Sequence, residues 1–213
     1  MFTGIVEEVG TLRSLSVGAQ SAVVDVTAHA VLEGTQVGDS ILVNGVCLTV
    51  TAVHGHGLRA DVQPETARRT TLVSLRPGAG LNLERALGMQ SRLGGHMVSG
   101  HIDGIGHVLD VAPEDNAVVV TVQAPEGVAR LSVDQGSVAI DGVSLTIVNV
   151  SEEHLRVALI PHTASVTTLG RLRKGDEVNL EADLIAKYVY AFLERRKPAP
   201  GLTWEKLAEA GFL

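Results

Sequence analysis

The stretch NGVCLTV at residues 44–50 is written a second time, with three changes, as DGVSLTI at residues 141–147. The Gly-Val-x-Leu-Thr frame is kept, while Asn becomes Asp, Val becomes Ile and Cys47 becomes Ser144. The same shift of 97 carries PETARRTTL (64–72) onto PHTASVTTL (161–169) and LNLE (81–84) onto VNLE (178–181). A shift of 96 carries MFTGIVEEVG (1–10) onto MVSGHIDGIG (97–106), so the copies differ by one loop residue. Chance explains one matching heptad but not four blocks in the same order. Solenoids need three or more repeats, so two copies imply two compact domains. The expected domains are residues 1–96 and 97–186, joined through LGMQSRLGG (87–95), with residues 187–213 as a C-terminal helix and tail.

Runs such as AVVDV (22–26), AVVVTV (117–122) and LTIVNV (145–150) are short, β-branched and bounded by Gly, Asp or Pro, which reads as strand. Turn signals every 8–12 residues suit a sandwich or a small barrel. Pro64 and Pro161 each suit the first position of a short helix. Each copy is therefore expected to be a small antiparallel barrel carrying one short helix. With three Phe, two Tyr and one Trp, the cores must be built from Val, Leu, Ile and Ala.

A formal charge of −7 with interspersed signs, and no basic stripe, argues against nucleic acid. One cysteine excludes an intramolecular disulfide. No apolar run reaches membrane-spanning length, and MFTGIVEEVG lacks the pattern of a signal peptide. A soluble cytoplasmic protein is expected. DLIAKYVYAFLERR (183–196) has helix start and stop signals and is apolar nearly all round, so it must be covered on several sides. Two packings satisfy this: against its own barrel, or against copies of itself in an oligomer. KPAPG (197–201) is expected to break the helix, and LTWEKLAEAGFL (202–213) to add a short amphipathic turn or two.

A duplicated domain offers two similar pockets, which suits a reaction between two similar molecules. Chemically telling differences fall inside the kept frames: Cys47/Ser144, Glu65/His162, Asp61/Ala158 and Ile5/His101, beside the unchanged Thr49/Thr146 and Thr66/Thr163. Any one such swap is ordinarily drift in packing; several in conserved frames point to unequal sites. GGHMVSGH (94–101) adds small residues that let backbone approach a ligand, and two histidines able to act as base or donor near neutral pH. On a strand their odd separation sends them to opposite faces, and no further ligands accompany them, so a metal site is not expected. There is no G-x-S-x-G elbow, P-loop or CxxC, and GHIDGIG (100–106) lacks the βαβ setting of a dinucleotide fold. A Cys47–His dyad stays open.

Taken together, MFTGIV, NGVCLTV, GGHMVSGH, DGVSLT and IPHTASVTTLG, in this order and spacing, resemble the riboflavin synthase family, over the chain to about residue 196. The resemblance implies an all-β fold of two tandem six-stranded Greek-key β-barrels plus a C-terminal helix. It implies a homotrimer with each active site between barrels of neighbouring subunits, and a reaction in which two 6,7-dimethyl-8-ribityllumazine molecules exchange a four-carbon unit. The products would be riboflavin and 5-amino-6-ribitylaminouracil, with no cofactor and no metal. Lumazine synthase, the enzyme upstream, becomes a candidate partner.

Carried over by motif, one pocket would comprise Gly4, Ile5 and Val6, Cys47, Leu48 and Thr49, and Asp61, Val62, Gln63, Pro64, Glu65 and Thr66. The other would comprise Gly100, His101 and Ile102, Ser144, Leu145 and Thr146, and Ile160, Pro161, His162, Thr163, Ala164 and Ser165. His101 is the first candidate for proton transfer, with Cys47 or Ser144 assisting attack at C7. Gln135 stands where related sequences can carry a ligand-contacting Lys. The rival readings are a lumazine protein that binds without catalysis, and a flavin-binding barrel of an electron-transfer enzyme, which would need a nicotinamide domain.

Overall fold

A computed structural model of the 213-residue chain describes residues 1–18, 21–151, 153–195 and 204–211. Two closed barrels form its body. The first holds β1 (Glu8–Val17), β2 (Ala22–Thr27), β3 (Ser40–Val43), β4 (Val46–His54), β5 (Gly57–Val62) and β6 (Gly80–Arg85). The second holds β7 (Gly104–Glu114), β8 (Ala117–Gln123), β9 (Ser137–Ile140), β10 (Val143–Val150), β11 (His154–Leu159) and β12 (Glu177–Ala182). Around the first barrel the order is β1-β2-β5-β4-β3-β6, and the second repeats it. All pairings are antiparallel, and the β2-to-β5 step is the Greek-key crossover. Closure leaves no strand edge unpaired.

The repeated heptad decides the local structure. Its first two residues, Asn44-Gly45 and Asp141-Gly142, are the two-residue turns of hairpins β3–β4 and β9–β10. All four take positive φ (46° and 80°; 45° and 78°), the geometry of a type I′ turn, which Asn, Asp and Gly tolerate. Beyond the turn, alternate residues point inward. Leu48 and Val50 join Leu12, Val24, Val26, Ile41, Leu58, Val62, Leu81 and Leu83 in one core. Leu145 and Ile147 join Val108, Val120, Val122, Ile140, Leu155, Leu159 and Leu180 in the other. Among the described residues no aromatic ring enters either core, in line with their scarcity in the composition.

The duplication extends to irregularities. Both barrels bulge on the first strand, between Leu12 and Ser14 and between Val108 and Asp110. Both bulge again between Val50 and Ala52 and between Ile147 and Asn149. The one-residue offset lies between the second and third strands. There a three-residue 3₁₀ turn (Ala30–Leu32) in the first barrel becomes helix α2 (Glu126–Leu131) in the second. The helices that follow the fifth strands, α1 (Pro64–Arg69) and α3 (Pro161–Val166), both start on proline.

Helix α4 (Leu184–Arg195) follows β12, with Asp183 Oδ1 accepting the N–H of Ile185 at 2.7 Å. Lys187 ties it to Asp103 at 2.7 Å, and Arg130 of α2 lies 5.0 Å from the Tyr190 ring centre. Ile185, Tyr188, Val189 and Leu193 stay exposed. The expected break at residues 197–201 lies outside the described residues; α5 (Trp204–Glu209) follows it.

Candidate functional site

The chain's first residues do not stay on their own barrel. Phe2 and Val98 exchange backbone hydrogen bonds (2.8 and 3.1 Å) and wedge, with Leu42 and Ala139, between the barrels. From this bridge two arms diverge. Residues 3–6 pass to the second barrel, where Gly4 accepts the N–H of Ser144 at 2.8 Å and Val6 packs on that barrel's core. Residues 99–102 pass to the first, where Gly100 accepts the N–H of Cys47 at 2.9 Å and Ile102 packs on that core.

This crossing corrects the grouping expected from sequence. Gly4, Ile5 and Val6 belong with Ser144, and Gly100, His101 and Ile102 belong with Cys47. Linear order assigns each arm to its own repeat, but backbone hydrogen bonding assigns it to the other. Gly4 and Gly100 take φ of 75° and 82°, and a Cβ on Gly4 would lie 2.6 Å from that of Ser144. Only glycine fits this approach.

A cleft of about 170 Å³ on the first barrel is lined by Val46, Cys47, Glu65, Thr66, Arg69, Thr70, Gly100, His101 and Ile102. Cys47 is a half-buried free thiol and His101 is exposed. Glu65 bonds Arg68 (2.7 Å) and Arg69, which hold its carboxyl below its usual pKa. Thr49 and Asp61 are exposed cross-strand partners on β4 and β5, while Leu48 and Val62 turn their side chains into the core and offer only backbone. Gln63 precedes α1 and Pro64 opens it.

The second barrel repeats the layout with other groups. Ser144 is half-buried on β10, Thr146 is exposed two residues on, and Leu145 is core. Ile160, Pro161 and His162 are exposed at the start of α3, followed by Thr163, Ala164 and Ser165. Ser165 Oγ donates to the His162 carbonyl at 2.7 Å. Gln135 is exposed just ahead of β9, with φ of 63°, and its N–H meets the Ile147 carbonyl at 2.8 Å. Gly38 makes the same bond to Val50 in the first barrel, so the local turn is kept.

The two histidines of GGHMVSGH serve different barrels. His101 lines the Cys47 cleft, whereas His96 is buried with Nδ1 2.7 Å from Ser144 Oγ. Burial lowers the His96 pKa, against the weaker opposing pull of the Asp183 carboxylate. Burial thus favours the neutral imidazole, which can orient the serine hydroxyl or take its proton. Its Nε2 is buried and has no hydrogen-bond partner among the described residues. Among the described residues no histidine hydrogen-bonds Cys47 as His96 bonds Ser144. Sequence reading weighed this histidine but did not pair it with Ser144. Arg69, which replaces the Val166 of the other copy, was also missed, although the two quoted helices display the difference. A larger groove of about 780 Å³, whose lining includes Thr3, Ile5, Ser40 and Arg85, holds none of these reactive groups. Its Arg85 is committed to Glu7 at 2.5 Å and to the Glu33 carbonyl.

The arrangement is one architecture built twice, with a thiol and an arginine–glutamate pair in a cleft on the first barrel and a histidine-bonded hydroxyl at the matching place on the second. Comparison with known proteins agrees with the duplicated domain organisation. A family model described as lumazine binding domain matches twice, at residues 3–86 and 99–183. The chain is 42% identical to riboflavin synthase of Actinobacillus pleuropneumoniae and 40% identical to that of Bacillus subtilis, across the whole of both partners. It is 45% identical to the Mycobacterium tuberculosis riboflavin synthase over 89% of this chain and 96% of the relative. Structures of LumP bound to 6,7-dimethyl-8-(1'-D-ribityl) lumazine and to riboflavin superpose with TM-scores of 0.78 and 0.80 at 28% identity, covering 85% of this chain and 99% of LumP.

Proposed function

The chain belongs to the riboflavin synthase family, and on that premise we propose that it converts two molecules of 6,7-dimethyl-8-ribityllumazine into riboflavin and 5-amino-6-ribitylaminouracil. The observation that carries this reading is a pair of like strand-and-arm settings with unlike reactive groups, Cys47 with His101 and Ser144 with His96. Two identical substrates must take different parts, one giving up a four-carbon unit and one accepting it. Equal sites could not assign those parts.

The chemistry asks little of the protein. The carbanion of the lumazine 7-methyl group delocalises into the ring, so the substrate is its own electron sink. Holding two rings in reactive register replaces a bimolecular encounter, an effect worth roughly 7–11 kcal/mol in favourable cases. His101 is the proposed proton-transfer group, and Cys47 and Ser144 are proposed to assist attack at C7. The exposed Thr49, Asp61 and Thr146 and the half-buried Thr66 and Thr163 are proposed to meet ring and ribityl oxygens, with the arm residues roofing each ring.

Incubation of the purified chain with the lumazine alone is expected to yield riboflavin and the aminouracil in equal amounts. His101→Ala is expected to slow single turnover by about 10²-fold or more, the usual weight of an acid–base group. LumP, at 28% identity, favours one other reading, a binder that performs no chemistry. Tight binding with no product would establish that reading and end the first.

A homotrimer is also proposed, with each reacting pair held between a first barrel and the second barrel of a neighbour. Its support is the exposed apolar side of α4, which a second and third copy would cover. Removing residues 184–213 is expected to give monomers with intact β-sheet circular dichroism and little activity. A truncated chain that still sediments as a trimer would contradict it. A cytoplasmic location is proposed because the free thiol of Cys47 stays reduced there. Lumazine synthase is the proposed partner, since its product is this substrate.

A further inference from the structure

Each arm is held by a buried carboxylate on the last strand of its own barrel. Glu84 on β6 accepts from Thr3 N (2.6 Å), Thr3 Oγ1 (2.7 Å) and Gly4 N (3.0 Å). Glu181 on β12 accepts from Ser99 N (2.7 Å), Ser99 Oγ (2.6 Å) and Gly100 N (2.9 Å). The hydroxyls pass the constraint one residue further. Thr3 Oγ1 accepts the N–H of Ile5 at 3.1 Å, and Ser99 Oγ accepts that of His101 at 3.2 Å.

Burying a carboxylate is costly unless its oxygens are well satisfied. Glu84 and Glu181 are 4% and 1% exposed, and neither forms an ion pair among the described residues. Burial raises the Glu84 pKa against the pull of its three donors, so the clasp is retained at some expense. What the expense secures lies across the molecule. The segment held by Glu181 ends on Cys47 of the first barrel, and the segment held by Glu84 ends on Ser144 of the second.

We propose that Glu181 is a positioning residue for the Cys47 pocket and Glu84 for the Ser144 pocket, so that each barrel sets the ligand site of the other. The functional weight of this rests on reading the two pockets as lumazine sites. Loss of the Glu181 clasp leaves Gly100 and His101 held above Cys47 only by the Gly100 carbonyl and by Ile102, although Glu181 belongs to the opposite barrel.

Cys47 is the only cysteine, so its alkylation reports the first pocket directly. In the full-length chain without ligand, Glu181→Gln is expected to speed iodoacetamide modification of Cys47 about tenfold, the usual weight of a charge-assisted hydrogen bond, and Glu84→Gln to leave it unchanged. In a Cys47→Ser/Ser144→Cys chain the pattern reverses, with Glu84→Gln the accelerating change. Equal acceleration by both, or acceleration by the same-barrel variant, would overturn the proposal. Glu181→Asp keeps the charge but draws it back by one methylene. It is expected to give the same crosswise pattern at smaller amplitude with near-wild-type melting, which separates arm release from unfolding. Added 6,7-dimethyl-8-ribityllumazine should protect Cys47 in the wild type and in Glu84→Gln but poorly in Glu181→Gln. If it fails to protect the wild type, the ligand reading falls, while ligand-free alkylation still decides the clasp.

Discussion

Gly100→Ala is expected to destabilise the chain by about 2–5 kcal/mol and to disable the Cys47 pocket. Two costs add. A left-handed backbone (φ 82°) penalises an L-residue by about 1–2 kcal/mol. The new methyl also collides with the Cβ and backbone N of Cys47 and with Leu42, an overpacking cost of about 1–3 kcal/mol. Gly175 separates the two terms, because its φ is 94° but a Cβ there meets nothing within 4 Å. Gly175→Ala should therefore show the backbone cost alone. Urea midpoints of the two variants make the comparison, and a Gly100→Ala chain no less stable than Gly175→Ala would show that the arm does not press on Cys47 as described. The matching change Gly4→Ala should act on Ser144 in the same way.

Asp141→Asn is expected to stabilise the protein above neutral pH, by an amount on the order of 4 kcal/mol, and to make no difference near pH 3. Asp141 lies in the turn where the barrels meet. A Cβ on Gly45 would fall 2.7 Å from Gly142 N, so the two hairpin turns stack on one another. Around them Asn82 Nδ2 donates to the Asp141 carbonyl (3.0 Å) and Asn179 Nδ2 to the Asn44 carbonyl (2.9 Å). The side-chain oxygens of Asn44 and Asp141 accept from Asn82 N (2.7 Å) and Asn179 N (2.8 Å). Burial pushes the Asp141 pKa up to about 7, and the bond from Asn179 only partly opposes it.

The sign follows from proton counts. Between the ordinary carboxylate pKa of 3.8 and about 7, the folded chain holds a proton that the unfolded chain has released. Stability then falls as pH rises through that window and stays low above it. Asparagine already fills the equivalent place at residue 44, so the substitution keeps the accepting oxygen and removes the charge. Melting temperatures measured from pH 3 to 9 should diverge above pH 4. Parallel curves would mean that Asp141 titrates normally.

Much of this molecule was legible from residue order. The repeat at 44–50 and 141–147 announced two like domains, and the short β-branched runs with turn signals every 8–12 residues announced the strands of a sandwich or small barrel. The Asn-Gly and Asp-Gly pairs at the head of each repeat also carried a readable hairpin signal. Reactive residue types were readable too, because Cys47, Ser144 and His101 stand in kept frames. What residue order could not convey was pairing across the duplication. Hairpins are governed by local alternation and turn chemistry written within about ten residues, while barrel closure adds pairings such as Ala22 with Val62 and Glu8 with Leu83. The arms follow another logic: Gly4 and Gly100 are drawn to whichever exposed N–H lies nearest in space, and those belong to Ser144 and Cys47 of the opposite barrels. The same holds for His96, a linker residue that meets Ser144 only when the barrels dock, and for Glu84 and Glu181, which read as ordinary strand acids until the chain ends fold over them. Composition, the repeat and the turn signals determined two like β domains and their reactive groups; only docking of those domains decided which residues come together, because the contacts involved lie 48 to 140 positions apart and are not encoded in any local pattern.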